Sequence, residues 1–383
     1  DHAQDAGHEN RCIVCHGGDD TARPSTEMER DSEAWLAVAT RAHTGSPDYY
    51  QDHKGPKSFY PDPGSPWINQ HTCGMCHEWQ VRTQWQSLMM TEAGKIQGTA
   101  WGFGGLSGYD HKWANYDVET LPETEQVGSE DYHAYMRGLM AKEPQVFLEA
   151  MKELPRAPTP DQVAEDPRLA AFTYLRGECQ RCHLAVGGAQ RHGDYRGLGC
   201  SACHVPYANS GMHQGGDATQ KGKIGKPLVH SIQGGVGAPV TANGHTWTGI
   251  PVETCTTCHN RGRRIGVSYQ GLMETPYPSP WGADGEPQQK LHGKYYRKLH
   301  GDLHAEKGFL CQDCHTSIDV HSSGQLIGAI TAAVEIECTD CHGTPTAYPW
   351  ELPLGSGDEY AETPATGPER GTSSSLPEYL DAT

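Results

Sequence analysis

Hydrophobic positions recur at helical spacing only over short stretches of this chain. Within EWQVRTQWQSLMM, four apolar side chains between Val81 and Met89 fall on one stripe, which predicts an amphipathic helix. A second helix is predicted to begin near Ser129 and to run towards Leu154, with an interruption at Pro144. The stretches with helical periodicity are therefore separate and brief.

Start and stop signals refine this picture. TPDQVAEDPRLAAFTYLRGECQRCH opens with Thr, Pro and Asp, which predicts a helix that runs into its two cysteines. QQKLHGKYYRKLHGDLHAEKG predicts another helix, broken by glycine, and GKIGKPLVHSIQGGVGAPVTANGHTWTGI predicts short strands with a hairpin turn at Asn243-Gly244. The predicted fold class is mostly irregular and loop-rich, with short α-helices and little β-structure.

The composition leaves little material for an apolar core. Only 36% of the residues are hydrophobic, and the mean hydropathy is −0.67. The 46 glycines and 26 prolines also limit long helices. A chain of 383 residues with this composition needs another source of buried apolar surface.

All 14 cysteines fall in seven CxxC pairs, and a histidine follows every pair. Disulfide frameworks, structural zinc sites and covalent haem attachment all use paired cysteines. Neither disulfides nor zinc sites require a histidine at that position, whereas CxxCH is the pattern of c-type haem attachment. The pattern therefore predicts seven covalently attached c-type haems (iron protoporphyrin IX), held by motifs that we number one to seven in chain order.

The spacing has a physical reason. Two cysteines three residues apart on a helical turn face the same way, so both sulfurs can reach the vinyl groups on one edge of a porphyrin. The next residue then projects its imidazole to the iron as the proximal ligand. The predicted thioether cysteines are Cys12, Cys15, Cys73, Cys76, Cys179, Cys182, Cys200, Cys203, Cys255, Cys258, Cys311, Cys314, Cys338 and Cys341. The predicted proximal ligands are His16, His77, His183, His204, His259, His315 and His342. No catalytic residue is predicted outside these motifs.

Haem supplies the missing interior, so the fold is predicted to be haem-cored. Motif spacing predicts an N-terminal dihaem region (1–120), a haem-free helical spacer (121–178), a pentahaem region (179–345) and an extended C-terminal tail (346–383). The whole stretch between motifs two and three, roughly residues 78–178, holds no haem motif and is interpreted as packing material against haem faces rather than a substrate site. The third and fourth motifs lie close in sequence, as do the sixth and seventh, so the haems of each pair are expected to be neighbours.

The net charge of −18 disfavours nucleic acid as a partner and favours cationic ones, including metal ions. No apolar run approaches the roughly 18 residues of a transmembrane helix. The chain begins at Asp1 without a signal-peptide pattern, and we expect the sequence to be that of the mature form. Because c-type cytochromes are assembled outside the cytoplasm, an extracellular or cell-surface location is expected, with the periplasm as the alternative.

Fifteen histidines lie outside the motifs, more than seven bis-histidine haems would need. Bis-histidine ligation is expected for most or all irons; methionine is the alternative sixth ligand and would raise the reduction potential. The candidate distal ligands are His71, His192, His213, His230, His245, His300, His304 and His321.

An arginine-rich turn follows the fifth motif in NRGRRIGVSYQG. Arg261, Arg263 and Arg264 are candidates to pair with haem propionates, and a solvated basic turn is the alternative.

The seven CxxCH motifs, which span residues 12–342, make the chain resemble multihaem c-type cytochromes. LHGDLHAEKGFLCQDCHTSIDVH and CTTCHNRGRRIGVSYQG are similar to parts of the extracellular electron conduits of metal-respiring microbes, some of which polymerise into filaments. That resemblance implies redox partner proteins or extracellular acceptors, and self-association into a homo-oligomer or homopolymer. In such filaments a histidine of one subunit can ligate a haem of the next.

Three functions remain open from the sequence. The first is an electron carrier with a continuous chain of haems, which could assemble into a filament. The second is a multihaem oxidoreductase of the nitrogen- or sulfur-oxyanion reductase type, with one open-site haem; the chain lacks the CxxCK motif of some such enzymes, so an electron-transfer protein is favoured over an enzyme. The third is a soluble electron shuttle.

Overall fold

The structure is a computed structural model, and it describes the chain in fourteen stretches. These are residues 11–19, 21–42, 58–106, 111–191, 193–208, 210–212, 221–224, 232–234, 240–242, 245–247, 249–260, 265–278, 284–286 and 290–349.

The α-helices of the described residues are short, as expected from the abundance of glycine and proline. They are α1 (Arg11–His16), α2 (Glu33–Ala42), α3 (Glu78–Thr83), α4 (Leu88–Thr91), α5 (Ala93–Gly102), α6 (Glu130–Lys142), α7 (Pro160–Glu165), α8 (Ala170–Tyr174), α9 (Cys200–His204), α10 (Val252–Thr256), α11 (Ile265–Tyr269), α12 (Leu303–Glu306), α13 (Ser317–His321), α14 (Ile330–Ala333) and α15 (Cys338–His342). Single 3₁₀ turns form Asn69–His71, Cys73–Met75, Gln84–Gln86, Glu123–Glu125, Pro167–Leu169, Gln180–Cys182 and Cys311–Asp313, and Leu175–Cys179 is a π-helical turn.

The strands have two to four residues and form four small sheets among the described residues. They are β1 (Trp113–Ala114), β2 (Val118–Glu119), β3 (Phe147–Leu148), β4 (Ala150–Glu153), β5 (Val240–Ala242), β6 (His245–Trp247), β7 (Leu272–Thr275), β8 (Tyr295–Lys298) and β9 (Leu326–Ile327). The sheet order is β1-β4-β2, β3-β9, β5-β6 and β7-β8, and the β1–β4 pair is parallel. Ala242 pairs with His245 in an antiparallel ladder, so the predicted hairpin is confirmed, while its two connecting residues lie outside the described residues.

Helix boundaries follow local capping chemistry where the sequence predicted them. The helix expected near Ser129 begins there, because the Ser129 hydroxyl accepts a hydrogen bond from the Tyr132 amide, and it ends at Lys142, before Pro144. The Thr159 capping box starts α7, as its Thr-Pro-Asp signal predicted. Pro167 then interrupts that helix, which resumes as α8 and the π turn that leads to motif three.

Three predicted helices are wrong in extent. The helix from Ser129 does not resume after Pro144 towards Leu154, because the chain there pairs with other strands as β3 and β4. The stripe from Val81 to Met89 is divided between α3, a 3₁₀ turn and α4, because Ser87 adopts an extended conformation and caps α4. The stretch before motif six forms β8 and the short α12 instead of one broken helix. Pairing of β8 with β7 overrides its local helical preference.

The chain forms two compact units, each built from two separate segments. Unit 1 comprises Asp1–Val81 and Leu184–Leu310, and unit 2 comprises Arg82–His183 and Cys311–Thr383. Motifs one, two, four and five fall in unit 1, and motifs three, six and seven fall in unit 2. This grouping differs from the contiguous regions expected from motif spacing, because contacts within each unit join segments that are distant in sequence.

Unit 2 contains a side-chain core. The three clusters of buried apolar residues found in the described structure all lie in this unit. The first surrounds Met151 and Leu326, the second surrounds Phe147 and Met136, and the third surrounds Ile96. The stretch without haem motifs supplies most of these residues, so it builds an interior of its own in addition to any haem contacts.

We expect Ile96→Ala to lower the free energy of unfolding by about 2–5 kcal/mol, because it removes a fully buried side chain from the third cluster. Ile330→Ala is the matched control in the same unit, since Ile330 is 62% exposed and Ile96 is 1% exposed. The control should change stability by no more than about 0.5 kcal/mol. Denaturant unfolding followed by far-ultraviolet circular dichroism measures both, and equal effects would contradict the assignment of this core.

Candidate haem-binding sites

Most CxxCH motifs form the single turn that haem attachment requires. Motifs one, four and seven are the short helices α1, α9 and α15. In motifs two, five and six, the amide of the histidine donates to the carbonyl oxygen of the first cysteine at 2.8–3.0 Å, which closes one helical turn. Motif three is tighter, because the His183 amide donates to the Gln180 carbonyl. Both cysteines and the histidine of a motif are thereby placed on one turn. The side chain of Cys12 lies outside the described residues.

Three proximal histidines have the hydrogen bond that a haem ligand needs. Nδ1 of His16 lies 2.8 Å from the Tyr60 carbonyl oxygen, and Nδ1 of His204 lies 2.5 Å from that of Gln233. Nδ1 of His315 lies 2.6 Å from a carboxylate oxygen of Asp319. An oxygen acceptor at Nδ1 fixes the tautomer in which Nδ1 carries the proton, so Nε2 is the nitrogen that would bind iron. These residues therefore fit the proximal side of a haem.

The two kinds of acceptor give these imidazoles different electrostatic surroundings. Burial lowers the pKa of His204, and its bond to the Gln233 carbonyl opposes that shift only in part. The Asp319 carboxylate raises the pKa of His315, against a smaller effect of burial. A more basic imidazole donates more electron density to a metal. The two sites would therefore set different reduction potentials.

Motif three is arranged differently. Nε2 of His183 lies 2.6 Å from the Met90 carbonyl oxygen, and the His183 side chain is buried. The nitrogen that would bind iron is thus engaged by the backbone in this structure. Gln180 of the same motif hydrogen-bonds Asn115. Iron binding by His183 would therefore require Nε2 to leave the Met90 carbonyl.

In unit 1 a loop of residues 58–66 contacts motifs one, two and four. The Tyr60 amide donates to the His16 carbonyl, and the Thr72 hydroxyl, beside motif two, donates to the Pro63 carbonyl. The Cys200 amide of motif four donates to the Gly64 carbonyl at 2.9 Å. Loop 58–66 therefore holds three attachment turns through its own backbone.

Asp62 strengthens this loop with a half-buried carboxylate. It accepts hydrogen bonds from the Ser201 hydroxyl at 2.8 Å, the Leu198 amide and the Gly64 amide. Burial raises the pKa of Asp62, and these hydrogen bonds counter that effect. Gly199 has φ +58°, and a Cβ there would lie 2.1 Å from the Gly64 carbonyl oxygen, so the approach of the two backbones requires glycine.

Motifs two and four are neighbours in unit 1. A hydrogen bond between the Cys73 and Cys200 thiols raises the pKa of Cys73, so the first cysteines of the two motifs are in contact. The side-chain amide of Asn69 also donates to the Cys200 sulfur at 3.3 Å. The helix α10 of motif five packs against α9 of motif four. Sequence spacing also predicted motif three as a neighbour of motif four. The boundary between the units falls directly after His183 of motif three, and that pairing stays a prediction.

Motifs six and seven are neighbours in unit 2, as their spacing predicted. Burial raises the pKa of Cys314, and the negative charges of ionised Cys341, Asp313 and Cys338 raise it further, so the cysteines of the two motifs lie near one another. The Thr316 hydroxyl, directly after motif six, donates to Glu335, which precedes motif seven by three residues.

The predicted distal ligands that the structure describes differ in the contacts that hold their imidazole rings. Nδ1 of His304 lies 2.9 Å from Asp302, and the His304 ring meets Phe309 edge-on. Nδ1 of His321 lies 2.9 Å from the Ser317 carbonyl. In both arrangements an oxygen acceptor lies at Nδ1, so Nε2 is the nitrogen that would bind a metal, as at the proximal sites. His71 stacks parallel to Tyr60 with ring centroids 6.1 Å apart.

Of the remaining candidate distal ligands, the structure describes the side chain of His300 alone. The His300 ring is fully exposed, with Nδ1 4.0 Å from Glu306. His192, His213, His230 and the side chain of His245 lie outside the described residues, as do Arg261, Arg263 and Arg264 and most of the predicted tail.

Two buried histidines of unit 2, His111 and His133, were missed from the sequence. Neither stands close to a motif along the chain, so local spacing gave no signal for them. A count of histidines within each compact unit would have revealed them, and that count requires the tertiary structure.

Residues 175–351, a little under half of the chain, match the family model described as outer membrane cytochrome MtrC/MtrF-like, domains II/IV. This region contains motifs three to seven. The match supports a multihaem cytochrome of the extracellular electron-conduit kind, with c-type haems and a cell-surface location. No curated protein and no solved structure gives a significant match to the chain.

We expect Asp319→Asn to raise the reduction potential of one haem, because it removes the carboxylate that makes the His315 imidazole more basic. Asp313→Asn is the matched control. It removes one negative charge from within motif six but leaves the Asp319 acceptor at Nδ1 of His315 in place. Spectroelectrochemical titration of both variants separates the hydrogen bond from the charge. Equal shifts in the two variants would show that the hydrogen bond has no effect of its own.

Proposed function

We propose that this chain is a heptahaem c-type cytochrome that carries electrons along a chain of closely packed haems in extracellular electron transfer. Bound iron porphyrins would supply the redox chemistry, since each iron can alternate between two oxidation states. The residues described here hold them, orient their ligands and set their surroundings.

The observation that carries this proposal is the Nδ1 hydrogen bond of three motif histidines to a carbonyl or carboxylate oxygen. Structural zinc and disulfide frameworks do not require a histidine after each CxxC pair, whereas a haem ligand needs both the histidine and its fixed tautomer. The family match over motifs three to seven supports the same cofactor.

The arrangement of the motifs supports transport rather than catalysis. Hydrogen bonds link the surroundings of motifs two and four in unit 1, and those of motifs six and seven in unit 2. His304 and His321 have their Nδ1 atoms held by oxygen acceptors, so each is prepared to fill a sixth coordination position. An iron with two histidine ligands has no vacant position for substrate, and it is therefore suited to electron transfer.

A cell-surface site of action is part of the proposal, with reduced redox proteins as donors and extracellular acceptors. The family model that matches describes outer-membrane cytochromes. Among the described residues, no helix combines the length and the apolar character that a membrane crossing requires.

The haem count and the ligation are tested together. The native mass should exceed that of the bare 41.8 kDa polypeptide by seven haems, and electron paramagnetic resonance of the oxidised protein should show low-spin iron. A mass equal to that of the bare polypeptide would refute the cofactor. A large high-spin fraction in fully loaded protein would favour the oxidoreductase with an open-site haem.

We also propose that copies of the chain associate head to tail into a filament, on the basis of the resemblance to filament-forming cytochromes. A heterologous contact that does not close into a ring generates an open polymer. Electron micrographs of the purified haem-loaded protein should show filaments of uniform width. Discrete single copies at high protein concentration would remove this part of the proposal and leave the electron carrier intact.

A further inference from the structure

Unit 2 contains as many histidines outside its motifs as within them. Its motif histidines are His183, His315 and His342, and the others are His111, His133 and His321. Unit 1, by contrast, has four motif histidines and twelve others. A unit that ligates three irons with two histidines each from its own residues would use all six. On the basis of the proposed function, every non-motif histidine of unit 2 becomes a ligand candidate.

His133 has the features of such a ligand. It lies on α6 one turn before Met136, which belongs to a buried apolar cluster. Its side chain is only 9% exposed. In the described part of the structure its Nε2 atom is buried and has no hydrogen-bond partner. A buried polar atom without a partner is destabilising, so its retention calls for an explanation.

The other ring nitrogen of His133 faces a carboxylate. Nδ1 lies 3.8 Å from an Oε1 atom of Glu123, and the Arg137 guanidinium pairs with the same oxygen and holds Glu123 in place. A carboxylate at Nδ1 and a metal at Nε2 is the usual arrangement of a ligating histidine. His315 also has a carboxylate at Nδ1, with Asp319 at the shorter, hydrogen-bonding distance of 2.6 Å.

The helix that carries His133 packs against the segment that joins motifs six and seven. The side chain of Tyr132, the preceding residue, is hydrogen-bonded to Ser323. Burial and the negative charge of Glu335 raise the pKa of the Tyr132 hydroxyl. Met136 belongs to the same apolar cluster as Ala329 and Ala332. We propose that His133 is the distal iron ligand of a haem held by motif six or motif seven, with Glu123 as its orienting partner.

A divalent cation is the competing occupant. Ligand atoms of Glu123, Glu130 and His133 lie within 4.8 Å of one another in the described structure. The Arg137 guanidinium, however, already neutralises Glu123 and would repel a dication at this position. The cluster therefore fits a histidine ligand with a clamped carboxylate better than a cation site.

The test is the iron spin state of fully haem-loaded His133→Ala. We expect one haem equivalent to change from low-spin to high-spin iron in electron paramagnetic resonance, and added imidazole to restore the low-spin signal. Met136→Ala is the matched control on the same buried face of α6. It should lower stability through a cavity but leave every iron low-spin.

Glu123→Gln tests the same assignment independently, should His133→Ala not fold. Glu123→Gln retains the imidazole and weakens its partner, so it should raise the reduction potential of one haem without a change of spin. Unchanged spin in loaded His133→Ala, or unchanged potentials in Glu123→Gln, would overturn the assignment. Loss of bound Zn²⁺ from His133→Ala, with haem spectra unaffected, would identify a cation site instead. A finding that the wild-type protein contains no haem would refute the proposed function itself. That result is distinguishable from failure of the His133 assignment in haem-loaded protein.

Discussion

Each attachment turn of this protein depends on a geometric constraint that a CxxCH sequence imposes: two sulfurs and one imidazole must leave the same side of a single turn. The constraint is met by α-helical turns at motifs one, four and seven, and by an amide-to-carbonyl bond at motifs two, five and six. A single turn is not stable alone, because nucleation of a helix is unfavourable. The surrounding chain must therefore hold each turn from outside.

The two units hold their turns in different ways. In unit 1, loop 58–66 binds three attachment turns through its backbone and the half-buried Asp62 carboxylate. In unit 2, apolar clusters around Met151, Phe147 and Ile96 provide a conventional interior. Among the described residues, unit 2 thus combines its attachment turns with a side-chain core.

The acceptor at Nδ1 connects this architecture to redox chemistry. Where loops are held by backbone atoms, as at His16 and His204, the acceptor is a carbonyl oxygen. Where a short helix follows the motif, as at His315, the acceptor is a carboxylate four residues later. Because a carboxylate makes an imidazole a stronger donor than a carbonyl does, the local fold at each motif also tunes the iron that the motif would hold.

The sequence by itself predicted c-type haem and the cysteines and histidines that would hold it, because the attachment pattern lies within five consecutive residues. It also located the caps at Ser129 and Thr159 and the β5–β6 hairpin, since each depends on neighbours within a few positions. Only the tertiary structure decided that motifs two and four are neighbours. It alone also placed His111 and His133 in unit 2, the unit that contains three motifs. Those relations join residues far apart in the chain, and burial of a residue such as His133 depends on surfaces that no local pattern describes.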